Sequence, residues 1–296
     1  MKKTLLTFLA ILTGLFILLT LLDGKSEYVA EQIIWKTNQK LAQVERNPEA
    51  VPDSVYKQIA AQYKKVTTQF THTRKASKAA ILSGNVYLIK KDYPTARQLF
   101  TDVCKKFPKD TVACADSTMG IAKSYEIEGN WPEALKHYEQ VINQYPTTDI
   151  GLMTPIYIVN RYRANKDTDN TKIATDRAIR FYKSILSGTP DEILEFKVLH
   201  LLANFYISLE RWSEAVQAMG TILIKYPTRK TVLTTLAAIN QISLLYLSDS
   251  DQAANIYKEF IRKHPKHPLN TTLKKMIASF QVIRDKNISV KLQDKK

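Results

Sequence analysis

Few side chains of this sequence are spaced for chemistry. His264 and His267 stand together in RKHPKHP. A metal centre there would need more ligands at matching spacing, and none follows. Cys104 and Cys114 are the chain's 2 cysteines and flank a predicted helix-to-helix turn, CKKFPKDTVAC. In an exported protein such a pair permits a disulfide, and closing so short a loop would contribute roughly 3 kcal/mol on the entropic account. Two buried thiols fit the same spacing. CxxC is absent, which removes a redox or zinc motif. GxSxG, HExxH and GxxxxGK[ST] are absent too. Aspartates and glutamates are scattered among lysines as surface pairs worth little each. No catalytic residue, cofactor or metal is expected, and an enzyme is not.

The elements that would position any binding residue are helical hairpins. In 118–146, TMGIAKSYEIEGNWPEALKHYEQVINQYP, one amphipathic helix closes near Tyr125. Gly129, Asn130, Trp131 and Pro132 make the turn, and Pro146 stops a second helix. Ala134, Tyr138 and Val141, spaced four then three, share one stripe of that helix. One hairpin cannot bury such a stripe, so copies must stack. Closing prolines mark the copies: Pro108, Pro146, Pro190, Pro227 and Pro265 follow at steps of 38, 44, 37 and 38. Upstream, Tyr28, Val29, Ile33, Ile34, Leu41 and Val44 form a stripe over 26–47. Ile59, Tyr63, Val66 and Phe70 form the next. Residues 269–285 suit a capping helix with Met276, Phe280 and Ile283 inward, followed by a basic tail at 286–296.

Met1-Lys2-Lys3 precedes TLLTFLAILTGLFILLTLL, residues 4–22, which carries no charge. As a helix it would span about 28 Å, close to a hydrocarbon core. Residues 1–25 are therefore expected to be an uncleaved signal anchor, with a cleaved signal peptide as the alternative, since no clean small-x-small site follows. Lys2 and Lys3 argue for an inside amino end. The remainder would then face a periplasm-like space from a bacterial inner membrane, or be periplasmic after cleavage.

The pattern Gly84, Tyr87, Ala96, Phe100, Val103, Pro108 resembles the tetratricopeptide repeat (TPR) family. It returns as Ala122, Tyr125, Ala134, Tyr138, Val141, Pro146 and as Ala203, Tyr206, Ala215, Met219, Ile222, Pro227. Poorer copies keep Ala178, Tyr182, Ile185, Pro190 and Ala253, Tyr257, Phe260, Pro265. The resemblance implies an all-α, TPR-like α-solenoid over 26–268, its concave wall made by the first helix of each hairpin. In the family's register the partner-binding groove includes Asn85, Lys123, Lys197, His200 and Asn204. Ile81 and Gly120 stand where the chaperone-tail subgroup has Lys and Asn, so its carboxylate clamp is not reproduced.

The formal charge of +15 suits an acidic partner or an anionic surface. No basic block is interleaved with aromatics, so a nucleic-acid partner is not expected. The leading expectation is a membrane-anchored, envelope-facing scaffold that binds envelope proteins, resembling TPR proteins of outer-membrane assembly or Tol-linked coordination. The alternatives are a basic surface for anionic lipid or cell-wall polymer, and a cytoplasm-facing adaptor.

Overall fold

The computed structural model describes residues 12–14, 27–247 and 251–293, the stretch 283–293 as backbone only. The apolar run at 4–22 lies outside the described residues except for 12–14, and the lysines that close the chain at 295–296 lie outside them as well. No helix among the described residues is long and apolar enough to cross a membrane.

Among the described residues there are helices and no strand. Successive hairpins are α1 (Glu27–Val44) with α2 (Asp53–Gln69), and α3 (Arg74–Ile89) with α4 (Tyr93–Lys106). Next come α5 (Thr111–Ile127) with α6 (Trp131–Gln144), and α7 (Asp149–Ala164) with α8 (Thr168–Ser187). Then follow α9 (Glu192–Ser208) with α10 (Trp212–Lys225), and α11 (Val232–Leu245) with α12 (Asp251–Lys263). The last helix, α13 (Asn270–Gln293), runs past the expected stop at 285. Nothing in DKNISVKLQ, residues 285–293, is a proline or glycine that would break it. The chain divides into two compact units, at Ile158 and Val159. The division falls inside α7, just after Pro155, whose missing N–H removes one helical hydrogen bond.

Among the described residues, four hairpins share one turn. Lys91, Gly129, Lys166 and Glu210 take φ of 65°, 87°, 58° and 57°. The next residue in each case donates its N–H to a tyrosine carbonyl five residues back. Asp92 reaches Tyr87, Asn130 reaches Tyr125, Asp167 reaches Tyr162 and Arg211 reaches Tyr206, at 2.8–3.0 Å. These bonds satisfy carbonyls that the first helix leaves open. Asp92, Asn130 and Asp167 then cap the second helix, their side-chain oxygens accepting from the N–H of Thr95, Glu133 and Asn170. Arg211 has no such side chain and makes no cap bond.

The second-helix stripes are the core. Ala96, Phe100, Val103, Ala134, Tyr138 and Val141 are all buried, as are Ala215, Met219, Ile222, Ala253, Tyr257 and Phe260. Each large side chain among them contributes about 1.5–3 kcal/mol by leaving water. Ile185 is only half-buried. In the first unit, α1, α3 and α5 also pack side by side. Phe100 lies between two of these first helices. A Cβ added at Gly84 on α3, or at Gly120 on α5, would come within 2.6 Å of its ring. In the second unit the second helices α10 and α12 pack on one another, and a Cβ at Gly220 would come within 2.6 Å of Ile256. Tyr28, expected on the inward stripe of α1, is 68% exposed. The buried stripe is Ala30, Ile34, Thr37, Leu41 and Val44, on the opposite face.

Candidate functional site

Hairpin stacking leaves first-helix faces toward solvent, and the predicted groove residues divide between the units. Asn85 on α3 is half-buried and Lys123 on α5 is exposed. They stand 38 residues apart, one repeat step, on helices that pack side by side in the first unit. Lys123 shares its helix with Asp116. Burial chiefly pushes the Asp116 carboxyl above its ordinary pKa. The negative fields of Asp110 and Asp149 add to the rise, and the Lys123 charge opposes it.

Lys197, His200 and Asn204 lie on α9 in the second unit, spaced three and four, and so share one face. Lys197 and Asn204 are exposed. His200 is half-buried. Its ring stands edge-on to Phe196 with centroids 4.5 Å apart, its Nε2 is buried without a hydrogen-bond partner, and burial pushes its pKa down. A neutral ring packed at the hairpin's base follows. A polar knot surrounds that base. Arg229 lies over the Phe196 ring and pairs with Glu192 at 2.8 Å, and Glu195 accepts from Lys225 and from the Tyr226 hydroxyl.

Sequence reasoning missed a set of tyrosine bonds between the two helices of a hairpin. Tyr63 donates to Asn38 on α1, Tyr138 to Glu126 on α5, and Tyr257 to Asn240 on α11. Tyr157 on α7 donates to Glu126 as well. The buried rings of Tyr63, Tyr138 and Tyr257 thus each end in a satisfied hydroxyl. The available signal was that tyrosine, not phenylalanine, fills most copies of this core position, together with a polar residue on each facing first helix.

Cys104 and Cys114, the pair whose spacing permits a disulfide, are free thiols in this structure. Cys104 Sγ lies 3.5 Å from the Ser117 hydroxyl, and Cys114 Sγ contacts the Phe107 carbonyl at 3.8 Å. Burial, with Cys104 beside it, pushes the Cys114 thiol up to about 12. Reaction needs the thiolate, which this setting suppresses. His264 joins elements: its Nε2 meets the Ile224 carbonyl of α10 at 2.7 Å, and Asn270 donates to the His264 carbonyl. Trp131 packs against Tyr138 of its own helix, whereas Trp212 stacks on Tyr246 at the end of α11, 4.2 Å between centroids.

Two stretches, residues 116–148 and 242–267, match the family model for the tetratricopeptide repeat. They cover most of the α5–α6 hairpin, and the end of α11 with all of α12. No curated protein matches the chain. Among solved structures it is similar to a thermophilic TPR protein of Thermus thermophilus, at 19% identity and a TM-score of 0.36, over 70% of this chain and 100% of that one. The TPR2AB domain of yeast Sti1, solved in a complex with pHSP90, matches at 12% identity and a TM-score of 0.33, over 86% and 99%. A TPR repeats protein of Bacteroides fragilis matches at 14% identity and a TM-score of 0.30, over 86% and 98%.

Proposed function

We propose that this chain is a membrane-anchored, TPR-like scaffold that faces the bacterial envelope space and holds another envelope protein on the first-helix faces of its hairpins. Tetratricopeptide repeats serve protein–protein interaction, and two stretches here match that repeat. The observation that carries the reading is the first unit's row of first helices, α1, α3 and α5, packed side by side. Asn85 and Lys123 stand there at equivalent positions, one polar and one cationic. Such a row offers an acidic segment both a charge and an amide partner. Lys197 and Asn204 make the corresponding offer on α9. The anchor is supported by the uncharged run 4–22 alone.

The direct test is affinity capture with the full chain from detergent-solubilised membranes. The scaffold reading expects a discrete partner that Lys123→Glu with Asn85→Ala releases and that moderate salt weakens. Equal recovery by the double variant would remove the first-helix face from the reading. A reporter fused at the carboxyl end decides the topology, and activity only of a cytoplasm-dependent reporter would reverse the envelope assignment.

The charge of +15 favours the second reading, a basic surface for anionic lipid or cell-wall polymer. That figure is already net, 43 Lys and Arg less 28 Asp and Glu, and the pairs Lys75–Glu31, Lys90–Asp53, Lys91–Glu49 and Arg97–Glu128 fix where some of those charges sit without changing the excess. Salt-sensitive vesicle binding that survives the first-helix substitutions would support it instead.

A further inference from the structure

Helix α1 has one face that nothing among the described residues of the first unit covers. Tyr28 is 68% exposed and Trp35 61%, the highest exposures among the large aromatic residues described. They lie seven residues apart, two helical turns, and so on one side of α1. Gln32, Gln39 and Ala42 share that side and are exposed. Gln32 donates to the Tyr28 hydroxyl at 2.7 Å. The side carries amides and aromatic rings and little charge; Glu31 at its margin is held by Lys75 of α3 at 3.0 Å. Lys36 and Lys40, both exposed, form the opposite margin.

Chain length says what can reach them. The uncharged run ends at Leu22 and α1 begins at Glu27, so Asp23, Gly24, Lys25 and Ser26 alone intervene. Four extended residues reach at most about 14 Å. If 4–22 spans a bilayer, the start of α1 is held within or just above the headgroup layer. Tyr and Trp with flanking lysines are the side chains that settle in that layer, rings toward the acyl boundary and polar ends toward water.

We infer that α1 lies along the membrane surface, with Tyr28 and Trp35 seated at the lipid–water interface and Lys36 and Lys40 over anionic headgroups. The inference rests on the anchor reading above. It adds that the first hairpin is docked on lipid, so that the orientation of the first unit to the membrane is fixed by α1 and not by the four-residue connection.

The test uses the full chain reconstituted into vesicles of phosphatidylethanolamine and phosphatidylglycerol. Trp131→Phe with Trp212→Phe leaves Trp35 as the reporter, and lipids brominated near the carbonyl region serve as quencher. Trp35 emission is expected to shift to the blue on reconstitution. Its quenching should exceed, by about two-fold or more, that of Trp131 in the matching variant with Trp35→Phe and Trp212→Phe. Should the paired substitutions impair folding, the difference spectrum of the unaltered chain minus Trp35→Phe gives the same reading. Vesicles that float with the protein while Trp35 is quenched no more than Trp131 would overturn the docking and leave the anchor intact. Protein that does not float with vesicles overturns the anchor, and this inference with it. Trp35 shielded from acrylamide in native membranes, yet open to it in pure lipid, would overturn the lipid assignment in favour of a protein on that face.

Discussion

The two units use the same hairpin and join it differently. In the first, Phe100 reaches from α4 between α3 and α5, so one ring closes the interface within its hairpin and the interface to the next. Gly84 and Gly120 lie on either side of it. A polar latch accompanies it: Arg97 on α4 lies 4.2 Å from the Tyr125 ring centroid on α5 and pairs with Glu128. In the second unit α10 meets α12, both second helices, with Ile256 against Gly220. An aromatic ring held on both faces cannot swing aside. A terminal methyl of isoleucine can change rotamer. The repeat signature therefore builds the hairpin, and the placement of small residues decides which helices of neighbouring hairpins touch.

The largest effect expected is for Phe100→Ala, about 3–5 kcal/mol from the cavity and lost burial. Hydrogen exchange of the full chain should show protection lost across 75–146 and retained in α10 and α12. Loss spread evenly over both units would break the distinction drawn here. Gly84→Ala is next, at about 1–3 kcal/mol, because the ring has nowhere to go. Gly220→Ala should cost distinctly less, since Ile256 Cδ1 is the atom it meets first. Equal costs by denaturant titration would show that the second unit is as tightly held as the first.

The shared turn sharpens the comparison at a smaller scale. Asp92→Ala and Asn130→Ala should each cost about 1 kcal/mol by removing a cap bond. Arg211→Ala, at the uncapped turn of the second unit, should cost less. Gly129→Ala should cost about 1 kcal/mol for a side chain at positive φ, while Lys166→Gly should be close to neutral.

The smallest effects run in opposite directions with pH. Asp116 in the first unit has a folded-state pKa raised above its unfolded value. The stability it contributes is present at low pH and lost as pH rises through the folded pKa. Glu195 in the second is lowered, first by its bond from Lys225 and then by that from Tyr226. Its contribution is present at neutral pH and lost as pH falls through the folded pKa. Asp116→Asn should therefore raise the melting temperature slightly at neutral pH, and Glu195→Gln should lower it. Both should approach the unaltered chain in acid, and melts across pH 3–7 check the two signs together.

Much of this was legible because burial writes itself into spacing. Ala134, Tyr138 and Val141 had to share a face, and all are 0% exposed. The repeated prolines marked where second helices end. Tyr28 misled because a tyrosine beside valine looks inward on composition, while the helical phase set by Ala30 and Ile34 turns it outward. Family register places His200 in the groove, while its ring packs edge-on to Phe196, a contact that spacing along the chain does not encode. The left-handed residues were hidden because Lys91, Lys166 and Glu210 carry no glycine signal; a closing bond to a tyrosine carbonyl holds them.

What the sequence by itself determined was the hairpin: which residues are helical, which stripe is hidden and where each copy stops. A period of 3.6 residues and the exclusion of apolar groups from water act over a few turns of chain, so local order suffices. Which neighbouring helices meet, where the chain divides into units, and what surrounds each cysteine were decided by the tertiary structure. Those outcomes depend on side chains from distant copies fitting together at close-packed density, and spacing along one chain does not encode that fit.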